Sequence, residues 1–270
     1  MEEYEPDIYE YEPISDEYEN EVIEKLIEFF KKNNDTVFYS KQVEIIFERK
    51  YYHWVTSRAL RGLVDIELKS EIKKLDFGGA ARFYWHKSNR YYKRDINKKA
   101  AIINSFSEAN FVAALGQTGE LLVGEGFSRF GFRTIGRDTK KLEQKEWKKS
   151  NHNLDFIFER DSVRYGVEVK NTLGYMDKKE FDIKIELCEY LEIYPLFVVR
   201  MIPSQWMYEL KQKGGVFLII EYQLYPLSHK KFASEVRDEL RLKVDAPKSL
   251  KDGTLQRFMK VHEAKVRELK

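Results

Sequence analysis

The sequence lacks the features that mark several large classes of protein. Its one cysteine, Cys188, excludes an internal disulfide and, without partner ligands, a zinc site. The longest apolar runs, such as residues 216–220, are far too short to span a bilayer. The acidic amino terminus has neither the basic nor the apolar region of a signal peptide. We therefore expect a cytoplasmic protein without a membrane segment.

Basic residues are also missing from the first 21 positions, which hold ten acidic side chains. The overall net charge of +2 hides this asymmetry, because the rest of the chain carries 47 basic against 35 acidic residues, a net charge of +12. A positive body suits a polyanionic partner, and a tethered acidic segment could compete for the same surface. The alternative is that residues 1–20 form a disordered tail that only improves solubility.

The first third of the chain has the pattern of three helices followed by two strands. The 270 residues, 43% of them hydrophobic, are enough for two domains. Amphipathic spacing and capping signals predict helices at Glu21–Lys32, from Ser40 to about Lys50, and at about 53–63. Two strand-like runs, 64–75 and 82–86, follow and are separated by a glycine-rich turn. This order resembles a winged-helix domain, which we place at residues 21–95.

The candidate nucleic-acid contacts of this domain lie on its third helix and beyond its second strand. They are Ser57, Arg58 and Arg61 on the helix, and Arg90, Lys93 and Arg94 in the basic segment 87–99. The helical positions lie opposite an apolar stripe and suit phosphates and base edges. The basic segment, interleaved with Tyr91 and Tyr92, could follow a nucleic-acid backbone. Protein docking by the domain and a solvated linker at the segment are the alternatives.

Residues 100–245 have the pattern of a second, α/β domain. A helix over 100–115 is broken by Gly116-Gln117-Thr118-Gly119, and another begins at Glu120. The glycine segment lacks the Gly-Lys-Ser/Thr ending of a P-loop, which argues against an NTPase. A strand, a hairpin and alternating helices and strands follow, so we predict a mixed sheet covered by helices. Residues 246–270 form a helical extension.

The most specific pattern is a hairpin predicted within Leu154–Asn171. With Asp161-Ser162 at the centre of the turn, the register sets Asp155 opposite Glu168. Directly opposite residues share a face, so the two carboxylates become neighbours, and Lys170 joins them because side chains alternate along a strand. The other face is apolar and can be buried, at Phe156, Phe158, Tyr165, Val167 and Val169.

The triplet acid-x-Lys says little alone, because this chain repeats it elsewhere, for example at Asp182-Ile183-Lys184. Only Glu168-Val169-Lys170 follows an Asp-bearing strand in a mixed α/β order. In that context Gly116–Pro226 resembles the PD-(D/E)XK nuclease superfamily, specifically archaeal Holliday-junction resolvases and related restriction-endonuclease-like proteins. The matching positions are Glu120 on the first helix, Gly131-Phe132 before the first strand, Asp155, Glu168 and Lys170, while Leu154 stands where the family has its proline.

The resemblance implies a restriction-endonuclease-like mixed sheet flanked by helices and a Mg²⁺ site, with Mn²⁺ able to substitute. Asp155 and Glu168 would be the principal ligands, and Glu120 would bind a second ion or a metal-bound water. Lys170 would orient or deprotonate the attacking water and stabilise negative charge. Each residue also has a structural interpretation: a surface ion pair on an edge strand for Glu168 and Lys170, a turn cap for Asp155, and a favourable helix N-terminus for Glu120.

These patterns together predict a metal-dependent DNA nuclease, an endonuclease acting on duplex or branched DNA. The alternative from another class is a catalytically inactive winged-helix DNA-binding regulator or assembly factor, and RNA is a third alternative, as the substrate. The resemblance further implies a homodimer, since two sites are needed to cut both strands symmetrically.

Overall fold

The computed structural model describes residues 16–76 and 78–268. The chain divides into one compact unit of Met1–Val112 with Glu235–Leu242 and a second of Ala113–Ser234 with Lys243–Lys270. Most of the predicted acidic tail lies outside the described residues. None of the described helices combines the length and the apolar composition that a bilayer crossing requires.

The first unit contains the helices and strands predicted for residues 21–95. The three predicted helices are α1 (Asp16–Lys32), α2 (Ser40–Phe47) and α3 (His53–Gly62), and the two predicted strands are β2 (Leu68–Lys74) and β3 (Ala80–His86). The unit also contains a short strand, β1 (Val37–Tyr39), and a further helix, α4 (Tyr92–Ser107), which covers most of the basic segment 87–99 and begins before residue 100. The strands form an antiparallel sheet in the order β1-β3-β2. Its core joins the apolar stripes of the first three helices to the sheet, with Leu26, Val55 and Tyr84 fully or almost fully buried.

The second unit is built around a larger sheet. Its elements are α5 (Ala109–Arg129), β4 (Arg133–Thr139), β5 (Lys141–Leu142), β6 (Lys145–Glu146), β7 (Leu154–Arg160), β8 (Val163–Lys170), α6 (Lys178–Leu191), β9 (Tyr194–Val199), α7 (Ser204–Gln212), β10 (Val216–Ile219), β11 (Gln223–Leu224), α8 (Lys230–Leu240), β12 (Val244–Asp245) and α9 (Asp252–Glu268). The first residues of α5 and the last of α8 belong to the first unit.

The large sheet is mixed and is flanked by helices, as predicted. Its order is β10-β9-β8-β7-β4, with parallel pairing from β10 to β8 and antiparallel pairing from β8 to β4. On one face α5 and α9 pack through Phe127 and Phe258 against Phe158 and its neighbours. On the other face α6 packs through Phe181 against Phe197. The central strands are therefore buried on both sides.

The helix break predicted at Gly116–Gly119 is wrong, because α5 runs through both glycines and the preceding helix ends at Ser107 instead. Glycine inside a helix costs only about 1 kcal/mol relative to alanine, so packing can override it. At Gly119 the missing side chain permits a close approach, since a Cβ there would lie 2.8 Å from the Cβ of Asn171. The glycine thus brings α5 close to the end of β8.

Candidate active site

The β7–β8 hairpin has the predicted register. Asp161 and Ser162 form the turn with φ of 50° and 63°, as a two-residue type I′ turn requires. Phe156 pairs with Val167 and Phe158 with Tyr165. The same register sets Asp155 opposite Glu168.

Glu168 lies in the interior of the sheet. Strand β8 pairs with β7 on one side and with β9 on the other, and Glu168 is only 3% exposed. A surface ion pair on an edge strand is therefore the wrong description of Glu168 and Lys170. A carboxylate this buried requires strong polar partners.

Two lysines surround the Glu168 carboxylate. The Lys184 ammonium, from α6, donates to Oε2 of Glu168 and to the carbonyl of Asn153. The Lys170 ammonium lies 3.1 Å from Oε1 of Glu168 and 2.8 Å from Oε1 of Glu180, which is also on α6. The result is a compact ion network between the end of β8 and the first turns of α6.

Lys170 remains a cation in this network. Burial alone would lower its pKa, but Glu168 and Glu180 outweigh burial and raise the pKa of Lys170 above its ordinary value. Of the roles predicted for Lys170, this arrangement favours stabilising negative charge and orienting water over removing a proton.

Asp155 has a different environment from Glu168. Its Oδ2 accepts a hydrogen bond of 2.6 Å from the backbone N–H of Val169, so it joins two strands and does not cap a turn. Burial, then the negative charge of Glu168, raise the pKa of Asp155 to about 7, against the opposing effects of the Val169 hydrogen bond and Lys184. A bound cation would remove the electrostatic cost that this raised pKa reflects.

Glu120 lies in the middle of α5 and not at a helix N-terminus. Its carboxylate is 3.7 Å from the Arg137 guanidinium, which also lies 5.5 Å from the centroid of the Phe156 ring. The charge of Glu120 contributes weakly to the raised pKa of Asp155. The structure therefore brings Asp155, Glu168 and Lys170 together and places Glu120 nearby, beside its own cation.

Within residues 16–76 and 78–268, no three His, Cys, Asp or Glu side chains converge to hold one metal ion. The chemistry of the Asp155–Glu168 pair still suits a hard divalent ion such as Mg²⁺, because both donors are carboxylates. Among the described residues, none donates a hydrogen bond to Oδ1 of Asp155. The Asp155–Glu168 pair can hold an ion provided that the Glu168 carboxylate contacts the ion and its two lysines at the same time.

Three residues next to this site, Lys184, Glu180 and Asn171, are not predicted as site residues by the sequence pattern. Lys184 belongs to an acid-x-Lys triplet of the kind that this chain repeats, yet it lies on the buried stripe of α6 with Phe181, Ile185 and Cys188. A lysine on an otherwise apolar stripe indicates a buried polar partner, and this signal was available in the sequence. Asn171 donates to the carbonyls of Leu115 and Leu224 at 2.7 Å and so connects the end of β8 to α5 and β11.

The candidate nucleic-acid contacts of the first unit are largely exposed, and one is already paired. Arg58 on α3 makes two hydrogen bonds of 2.8 and 2.9 Å to Glu19 on α1. Arg61 is exposed and lies 3.5 Å from the Ser57 hydroxyl. Beyond β3, the side chains of Arg90, Lys93 and Arg94 are exposed, and Tyr91 is 89% exposed.

The basic segment 87–99 is not an extended linker, because α4 begins at Tyr92. Lys99, its last cation, is buried and donates to the carbonyl oxygen of Val37. Lys99 therefore cannot contact a nucleic acid in this conformation, whereas the exposed cations near the start of the segment can.

Comparison of the chain with protein-family models, with curated proteins and with solved structures gives no match.

Proposed function

We propose that this protein is a metal-dependent DNA nuclease with a PD-(D/E)XK core in its second unit. The observation that carries the proposal is the meeting of Asp155, Glu168 and Lys170 on adjacent strands of a mixed sheet. The sheet order and the preceding helix with Glu120 are the further elements of a restriction-endonuclease-like core. The pKa of Asp155 is raised to about 7. Carboxylates with a pKa shifted this far are more typical of functional sites than of ordinary protein surfaces, which supports the proposal.

Each residue has a defined role in this proposal. Asp155 and Glu168 would hold Mg²⁺, which when bound neutralises charge on a phosphodiester and acidifies water. Lys170 lies beside Glu168, where its ammonium can orient water and stabilise the negative charge that develops on the phosphate. Glu168 and Glu180 together keep Lys170 protonated, and the contact with Glu180 fixes the direction of its ammonium.

The first unit supports a DNA partner. Its order α1-β1-α2-α3-β2-β3, with an antiparallel three-stranded sheet, is the order expected of a winged helix. In that fold α3 would be the helix that enters the major groove, with Ser57, Arg58 and Arg61 toward the DNA. The exposed cations Arg90, Lys93 and Arg94 would contact phosphates.

Cleavage of a labelled panel tests the proposal. Wild-type protein in Mg²⁺ is expected to cut duplex, flap or four-way-junction DNA, and an RNA panel tests RNA as the substrate. Lys170→Ala and Asp155→Asn should each lower the rate by about 10²-fold or more, because each removes a group that stabilises the reacting phosphate or its metal. Lys179→Ala, at an exposed position of α6, is the matched control and should cut at the wild-type rate.

A catalytically inactive DNA-binding regulator is the second candidate. It is favoured by the two lysines on Glu168 and by the absence of a three-ligand metal cluster from the part of the chain that the structure describes. If the protein binds DNA but cleaves none of the panel in either Mg²⁺ or Mn²⁺, the regulator hypothesis is supported and the nuclease proposal is refuted. The mass of the protein in solution tests the homodimer that we propose with the nuclease.

A further inference from the structure

Lys184 is the most unusual side chain near the proposed site. It lies in α6 on the stripe that faces the sheet and is only 4% exposed. Its ammonium contacts Oε2 of Glu168 and the carbonyl of Asn153. A buried ammonium held in this way is costly to place and fixes the orientation of the carboxylate it contacts.

The charges around Glu168 are balanced before any metal binds. Lys170 and Lys184 carry two positive charges, and Glu168 and Glu180 carry two negative ones. Asp155 is the remaining acidic group of the pair that would hold an ion. A divalent cation therefore meets much less negative charge than two carboxylates alone would offer, and it competes with Lys184 for Oε2 of Glu168.

We infer that Lys184 is a positioning residue that holds Glu168 in the metal-free protein and lowers the affinity of the Asp155–Glu168 pair for divalent cations. This inference rests on the proposed function, because it assumes that the pair is the metal site. It makes a distinct claim, however, since it concerns how tightly the ion binds and not whether a phosphodiester is cut.

Mn²⁺ binding to the full-length protein, followed by the electron paramagnetic resonance signal of the free ion, tests the inference. Lys184→Gln removes the charge but keeps a donor for Glu168, and its Kd for Mn²⁺ should fall about tenfold or more, because the site gains one negative charge at short range. Lys184→Arg keeps the charge and should bind Mn²⁺ much as the wild type does. Lys179→Gln changes the net charge equally at an exposed position of the same helix and should leave the Kd unchanged.

The outcomes separate this inference from the proposed function. Tighter Mn²⁺ binding by Lys184→Gln supports the inference even if no nucleic acid is cut, whereas equal binding by Lys184→Gln and the wild type, or no binding by either, overturns it. An equal gain in Lys179→Gln also overturns it, because the effect would then be the net charge of the protein.

A measurement on the wild type covers the case in which Lys184→Gln does not fold. Saturating Mg²⁺ should shift the nuclear magnetic resonance signal of the Lys184 ε-carbon, because the ion takes part of the Glu168 carboxylate from the ammonium. The ε-carbon signal of Lys179 should not move. A Lys184 signal that stays in place when Mg²⁺ is saturating contradicts the inference.

Discussion

Lys99 in the first unit and Lys184 in the second are both buried lysines, but their partners differ. Lys184 contacts the buried carboxylate of Glu168, whereas Lys99 donates to the backbone carbonyl of Val37 and lies 5.5 Å from the centroid of the Phe38 ring. Burial lowers the pKa of Lys99 to about 8, although Asp95 opposes this effect. A buried lysine with a buried carboxylate belongs to a specific polar site, while one with only a carbonyl is a local cost that the packing tolerates.

The ion pairs of the two candidate sites also differ in burial. In the second unit Glu168 and Lys184 are almost completely buried, so removing Glu168 leaves the Lys184 ammonium without its carboxylate partner. In the first unit Arg58 and Glu19 are paired at the surface, where solvent can replace either one. The comparison predicts large effects of mutation on stability in one site and small effects in the other.

The largest effect is expected for Glu168→Gln. Breaking one partner of a buried ion pair costs about 3–5 kcal/mol, because the Lys184 ammonium is left buried without a counter-charge. Urea denaturation of the variant should show a loss of free energy of unfolding of this size. Glu186→Gln, at an exposed position of α6, should lose less than about 1 kcal/mol. Similar losses in the two variants would remove the contrast between the buried and the exposed charges.

A smaller effect is expected from Lys99, and it depends on pH. The folded pKa of Lys99 is about 8 and its ordinary value is 10.5, so between these values the unfolded chain binds more protons than the folded one. The free energy of unfolding should therefore rise with pH in this window, by about 2 kcal/mol between pH 8 and pH 10. The burial penalty is largest below pH 8, where Lys99 is protonated in both states.

Lys99→Met isolates this contribution. The free energy of unfolding of the wild type minus that of Lys99→Met should rise by about 2 kcal/mol from pH 8 to pH 10. The same difference measured with Lys93→Met, at an exposed position of α4, should stay constant over this range. The measurement stops at pH 10 because burial raises the pKa of Tyr39 to about 12, and ionisation of this residue destabilises the fold at higher pH. A difference that stays constant from pH 8 to pH 10 would mean that Lys99 is hydrated.

The hairpin could be predicted from sequence because its determinants are local. Strand alternation and the Asp161-Ser162 turn fix which residues stand opposite each other, and only this register buries the apolar face. Asp155, Glu168 and Lys170 follow from that register without any knowledge of the rest of the fold. The mixed sheet followed from the order of the elements, since short connections leave few arrangements.

The remaining partners could not be predicted in the same way, because they depend on packing between elements distant in sequence. Glu180 and Lys184 reach Glu168 and Lys170 only when α6 packs on β8. At Gly119, α5 approaches Asn171 closely, and helix propensity does not encode such a contact between distant elements. The sequence pattern places Lys99 in an exposed basic segment, whereas the helical period of α4 turns it inward.

The smallest effect is expected at the exposed Glu19–Arg58 pair. Under the proposed DNA-binding role of α3, Glu19 competes with phosphates for the Arg58 guanidinium. Glu19→Gln should therefore tighten binding to duplex DNA about two- to fivefold at low salt, in line with the energy of an exposed ion pair. The gain should shrink as salt increases, because screening weakens both the pair and the phosphate contacts. Fluorescence anisotropy measures the Kd, and Glu24→Gln on the same helix makes the same charge change at another exposed position. Equal gains in the two variants would mean that net charge and not release of Arg58 sets the affinity.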